Sequence, residues 1–313
     1  MIVTSVTVRV PAKINLQLAV GPLRPDGYHD LVTVFHAIGL FDMVSVAAAE
    51  ADSVAVTGEG AGQVPADGDN LALRAVRALR AVVAAQAGPG VAVTINKRIP
   101  VAAGLAGGSA DAAAALVACN ELWRAGLSQR ELCEVAAGVG SDVAFALLGG
   151  TAVGRGRGER LTPALMPAAR YHWVLAFADG ALSTPEVYGT LDRLRAANGG
   201  VGEPGEEVAE PELSTELMAA LRAGDLDRLG RSLSNDLQAP AISLFPALRK
   251  TLDVGREFGA LGALVSGSGP TCLFLARDAR HATDLAVALS GAGVCRTVTR
   301  ASGPVPGATV IER

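Results

Sequence analysis

The chain has 313 residues, half of them hydrophobic and only 4% aromatic, so it can bury one large or two smaller cores built from small aliphatic side chains. Its net charge of −4 argues against a nucleic-acid partner. No apolar run is long enough to cross a bilayer, so no membrane partner is expected.

In chain order, Val3–Val10 alternates apolar and polar residues as a strand does, unlike a signal peptide. Further strand signals fall at Phe35–Ile38, Met43–Ala47 and Ser53–Thr57. Asp69-Asn70 opens a helix carrying Leu71, Ala75, Val76, Leu79 and Val83 on one face, stopped by Gly88. A strand at Val91–Ile95, a glycine loop and an alanine-rich helix to about Trp123 follow. Ser128-Gln129-Arg130-Glu131 is a capping box, and Ser141-Asp142 opens a short helix closed by Gly149-Gly150. Thr151–Gly154 is the last strand of this half.

Past residue 165, strands are expected at Trp173–Ala178, Ala263–Ser266, Thr271–Ala276 and Val294–Val298. Helices are expected at Pro185–Ala197, Ser214–Ala223, Asp225–Leu237, Pro246–Phe258 and Ala279–Leu289. Asn198–Glu212, rich in Gly, Glu and Pro, has the composition of an exposed, mobile loop. The order is α+β, without the regular alternation of a doubly wound sheet. Cys119, Cys133, Cys272 and Cys295 are too scattered for a zinc site or a disulfide framework, and fit a reducing cytoplasm.

The segment Pro100-Val101-Ala102-Ala103-Gly104-Leu105-Ala106-Gly107-Gly108-Ser109-Ala110 carries the chemistry. A glycine loop opening into a helix presents bare N–H groups and the positive end of the helix dipole, which suits a phosphate. It is not a Walker loop, because no Lys follows the glycines. The register of G-x-G-x-x-G is missed, which counts against hydride transfer on a dinucleotide, and G-x-S-x-G is absent at both Ser109 and Ser268.

The loop resembles the P-x-x-x-G-L-x-G-G-S-A phosphate loop of the GHMP kinases. Pro11-Ala12-Lys13-Ile14-Asn15-Leu16 and Ser266-Gly267-Ser268-Gly269-Pro270 resemble two further signatures of that superfamily. Arg24-Pro25-Asp26-Gly27-Tyr28-His29, Gly140–Val143, Ser183–Tyr188 and Ser234–Leu237 are similar to one branch that acts on a cytidine diphosphate. The resemblance runs nearly end to end. It implies a two-domain α+β fold with the active site in the interdomain cleft, divided here into 1–165 and 166–313. It also implies a kinase using ATP and Mg2+, either on the 2-hydroxyl of cytidine diphosphate methylerythritol or on homoserine, mevalonate or a sugar. A nucleotide-binding regulator that kept the loop and lost the chemistry is the alternative of another class. Such a kinase would act on a small molecule in the cytoplasm as a monomer or homodimer.

On that resemblance Lys13 and Asp142 are the catalytic pair. Asp142 orients the acceptor hydroxyl, in a helix start whose dipole favours the anion, or else it only caps that helix. Lys13 serves the migrating phosphoryl group or is a solvated surface lysine. Residues 100–110 hold the ATP phosphates, with Asn70 at adenine or merely capping, and Lys97 lining the cleft or solvated. Asn15 contacts substrate or satisfies backbone. His29 meets the cytosine edge while Tyr28 and Tyr188 close on its two faces beside Thr184, though Asp26-Gly27 is equally a plain turn. His36 and His172, in strand-like runs, are expected to be structural. The superfamily commonly has a glycine and a serine where this chain has Ala106 and Ala110. Ala106 is therefore expected to hold an ordinary φ, and the loss of a hydroxyl at Ala110 leaves the metal ligands unassigned.

Overall fold

The computed structural model describes residues 4–84, 86–166, 169–197 and 209–313. The first half runs β1 (Ser5–Leu23), β2 (His29–Ala49), β3 (Ser53–Gly58), α1 (Leu71–Val83), β4 (Gly90–Lys97) and α2 (Gly107–Leu122). It continues through α3 (Gln129–Ala137), α4 (Val143–Leu148), β5 (Thr151–Gly156) and β6 (Arg160–Pro163). The second half holds β7 (Tyr171–Phe177), α5 (Thr184–Ala197), α6 (Thr215–Ala223), α7 (Leu226–Ser232), β8 (Ser234–Asn235) and α8 (Gln238–Leu244). After these come α9 (Ala247–Glu257), β9 (Gly262–Val265), β10 (Cys272–Ala276), α10 (Ala279–Gly291), β11 (Thr297–Gly303) and β12 (Thr309–Glu312).

An 8-stranded sheet is built on the order β12-β1-β2-β4-β3, with β5 and β8 joined to β2 and β1 and β6 joined to β5. A 4-stranded antiparallel sheet has the order β11-β7-β10-β9. α1 lays Ala72, Leu73, Ala75, Val76, Leu79 and Val83 into the core. α2 is buried nearly all round, from Ala110 to Cys119. Its alanines have little to project, so the helix lies close to α1 and to the long strands together.

Several elements differ from expectation. The strands at Phe35–Ile38 and Met43–Ala47 are one strand, β2, whose pairing with β1 shifts where Pro11 faces Phe41 and Ala12 faces Ile38. Pro11 has no N–H for the ladder, and an irregularity there is the ordinary accommodation. The helix expected over Asp225–Leu237 stops at Ser232. Leu233 is already extended, and beyond it Asn235 donates Nδ2 to the carbonyls of Val265 and Gly267 and accepts from the Leu237 N–H. The last expected strand, Val294–Val298, lies instead at Thr297–Gly303. Two short strands, β6 and β12, carry no clear sequence signal. The chain passes the division at residue 165 more than once, because β8 and β12 return to pair with β1. Of the glycine-rich segment Asn198–Glu212, residues 198–208 lie outside the described residues. No helix among the described residues is long and apolar enough to cross a membrane.

Candidate active site

Both halves of the chain line a cleft of about 890 Å3. Its floor is the loop from Pro100 to the first turn of α2. Gly104 has φ 74, but Ala102 (φ 50) and Ala106 (φ 58) are left-handed as well. The ordinary φ expected at Ala106 is therefore wrong. A left-handed alanine costs of the order of 1–3 kcal/mol and persists only where surroundings impose it. Here the chain must reverse into α2, and the Ala110 N–H closes the first turn onto the Ala106 carbonyl. No side chain caps α2, so the first-turn N–H groups of Gly107, Gly108 and Ser109 have no side-chain acceptor where the loop lines the cleft.

The turn after β9 presses against this loop. Ser266 Oγ donates to the Gly104 carbonyl at 3.1 Å. A Cβ on Gly104 would sit 2.1 Å from the Ser266 carbonyl oxygen, so only glycine fits. Gly104→Ala is therefore expected to push the two loops apart. Affinity for ATP, the ligand that the loop's resemblance implies, should fall at least about tenfold by calorimetry, the equivalent of losing one or two phosphate hydrogen bonds. Unchanged ATP binding would show that the contact does not shape the floor.

Above the floor, Lys13 projects from β1, and its backbone N–H reaches the Leu105 carbonyl of the loop at 3.3 Å. Its residue is only 8% exposed, which removes the solvated alternative. Nζ donates to Asn15 Oδ1 at 2.8 Å and lies 3.7 Å from Asp142 Oδ2. Asn15 Nδ2 donates to Thr33 Oγ1, and Thr33 donates to the Gln17 carbonyl, both at 2.7 Å. Asn15 thus holds the ammonium in place, and both ends of its amide are committed to protein. Asp142 is the residue before α4, yet its carboxylate makes no capping hydrogen bond. Its charge faces Lys13 and the cleft.

At the far end, His29 opens β2, and its Nε2 lies 2.9 Å from Asp192 Oδ1. The Tyr188 ring sits 5.2 Å from the His29 ring, tilted by 31°. Burial, then the charges of Asp142 and Asp236, raise the Tyr188 phenol and keep it neutral. Tyr28 is half exposed at the rim with the Arg157 guanidinium 4.8 Å from its ring centre. Tyr188 therefore packs beside His29, and a cation, Arg157, accompanies Tyr28. The Thr184 and Ser268 hydroxyls meet at 2.9 Å across the cleft wall.

The GHMP kinases N terminal domain family matches residues 70–150, and the GHMP kinases C terminal family matches residues 217–295. The chain is 55% identical over 307 residues to the 4-diphosphocytidyl-2-C-methyl-D-erythritol kinase of Mycolicibacterium smegmatis, covering 98% of this chain and 92% of that one. It is 53% identical over 316 residues to the enzyme of that name from Thermobifida fusca, covering 98% and 99%. The chain belongs to the 4-diphosphocytidyl-2-C-methyl-D-erythritol kinase family of GHMP kinases. A crystal structure of a 4-(cytidine 5'-diphospho)-2C-methyl-D-erythritol kinase superposes with TM-score 0.73 at 34% identity, over 94% of this chain and 98% of that one.

In this GHMP kinase, two residues expected at the nucleotide have other partners. Asn70 caps α1 by accepting from the Ala72 N–H at 2.9 Å and donates Nδ2 to the Pro65 carbonyl at 2.7 Å. Asn70 also lines the cleft, so it caps the helix and faces the site at once. Lys97 lines the cleft but is buried, with Nζ 2.6 Å from Asp42 Oδ2 and 2.7 Å from Asp111 Oδ2. Asp42 Oδ1 also takes the N–H groups of Arg98 and Ile99, so the triad ties β2, the loop and α2 together. Burial opposes the Lys97 charge, but the two carboxylates outweigh it and raise its pKa. His36 is structural: Nδ1 pairs with Thr151 Oγ1 at 2.8 Å, and burial lowers its pKa to about 3. His172 lies in β7. Asp42, Asp111, Asp192 and Arg157 were not anticipated. Only Asp192, one helical turn after Tyr188, left a trace in the spacing.

Proposed function

We propose that this kinase transfers the γ-phosphoryl group of ATP to the 2-hydroxyl of 4-diphosphocytidyl-2-C-methyl-D-erythritol. The observation that carries this is one cleft holding a bare phosphate loop, a Lys13–Asp142 pair above it, and a histidine–tyrosine wall beyond. Phosphoryl transfer proceeds through a loose transition state, so positioning and charge do most of the work. Asp142 accepts the hydrogen bond of the acceptor hydroxyl and takes its proton as the new O–P bond forms and ADP leaves. Lys13, held by Asn15, offsets the negative charge on the migrating oxygens. The loop amides and the Ser109 hydroxyl hold the phosphates in line.

Mg2+ fits this site as an ion carried mainly by nucleotide phosphates, where one or two carboxylates suffice. No cluster of three or more acidic, histidine or cysteine side chains that could cage a metal occurs among the described residues. Asp142, partly open to the cleft, is the carboxylate available to it. The ion would neutralise phosphate charge. Four free cysteine thiols accord with a cytoplasmic setting.

The decisive assay offers ATP with the cytidine diphosphate substrate, homoserine, mevalonate or a sugar in turn. Rapid ADP release is expected only with the first. Turnover of homoserine, mevalonate or a sugar without the cytidine substrate would overturn the assignment.

A further inference from the structure

His29 is 6% exposed and lines the cleft, and the partner of its Nε2 is a carboxylate on another element. An ionised carboxylate can only accept, so Nε2 carries the hydrogen and donates it to Asp192. In a neutral imidazole this leaves Nδ1 as a lone-pair acceptor. Nδ1 has no hydrogen-bond partner among the described residues. Tyr188 packs against the ring, so turning the imidazole over would cost both that contact and the Asp192 bond. Tyr188 and Asp192 are four residues apart on α5, so one helix supplies the wall and the carboxylate.

We infer that Asp192 is a positioning residue that sets the His29 tautomer and so makes the base subsite select an amino group over a carbonyl oxygen, cytosine over uracil. This rests on the proposal that the acceptor substrate is a cytidine diphosphate. Cytosine presents its N4 amine as a donor where uracil presents O4, an acceptor. A fixed Nδ1 lone pair takes the amine hydrogen. Facing O4 it meets another lone pair, and both are left unsatisfied in a largely dry site. Asp192 never touches the base; it acts through the imidazole.

The experiment compares wild type, Asp192→Asn and Asp192→Leu on the cytidine diphosphate substrate and its uridine counterpart. Wild type should prefer the cytidine form by at least about a hundredfold in kcat/KM, as sites built around a hydrogen bond do. Asp192→Leu frees the imidazole to place its hydrogen on Nδ1. The preference should shrink at least about tenfold, through KM more than kcat, consistent with one lost hydrogen bond. Asp192→Asn keeps a carbonyl acceptor for Nε2–H and should retain most of the selectivity. Nitrogen-15 NMR of the wild-type protein, with His29→Gln used for assignment, should show His29 protonated at Nε2 alone. A proton on Nδ1 in wild type, or unaltered base selectivity in Asp192→Leu, would overturn the inference. Failure of wild type to phosphorylate the cytidine substrate would reject the proposed reaction instead, while the NMR result would still decide the tautomer.

Discussion

Asp142→Asn is expected to bind ATP as wild type does and to lose turnover by about 10²–10⁴-fold, the range for removing a positioned proton acceptor. The substitution keeps shape and a hydrogen-bonding oxygen while discarding the charge that faces Lys13 at 3.7 Å. Lys13 stays in place, since its closer bond is to Asn15. Loss should therefore fall on kcat, as expected of an interaction made in the transition state. Steady-state kinetics beside calorimetric nucleotide binding separates the two effects. A merely structural Asp142 predicts something else: asparagine is as good a helix cap as aspartate, so turnover would survive. The carboxylate makes no capping bond, which already disfavours that outcome.

Legibility in the sequence tracked how local the physics was. The Asn70 cap, the Ser128–Glu131 capping box and the amphipathic face of α1 are set within a few residues, and each stands where expected. The glycine loop and the start of α2 stand where the local sequence put them, because glycines that break a strand and open a helix act within a few residues. Ala106 misled because alanine has no intrinsic reason to be left-handed; tertiary packing imposes that backbone. The triad of Asp42, Lys97 and Asp111 was invisible for a related reason. Its members lie 55 and 14 residues apart and become neighbours only once β2, β4 and α2 meet. Each alone reads as a charged surface residue. β12 escaped notice because Thr309–Glu312 is short and half polar, and its role follows from a partner at the other end of the chain.

That triad yields the largest expected effect on stability. Lys97→Met leaves two carboxylates in the interior without their cation, and removal of one partner from such a buried group costs roughly 3–5 kcal/mol. With both aspartates ionised, the wild-type site would carry one negative charge too many for a dry environment. Burial first, and then the neighbouring Asp42 carboxylate, lift Asp111 to about 8 against the pull of Lys97. An unfolded aspartate titrates at about 3.9, so between about pH 4 and pH 8 the native state holds more protons than the unfolded chain. Stability from this group is therefore complete below that interval and declines as pH rises through it. Guanidinium unfolding at about pH 6 and about pH 9 should show a falling midpoint in wild type and a flatter one in Asp111→Asn, which has no proton to lose. The buried thiols of Cys119 and Cys272, each raised to about 12 by burial, are common to both proteins and cancel in the comparison. In Lys97→Met the decline should steepen, because nothing then offsets the second carboxylate. An equal fall in Asp111→Asn and wild type would mean that Asp111 is ionised throughout, and that the triad keeps its extra negative charge at neutral pH.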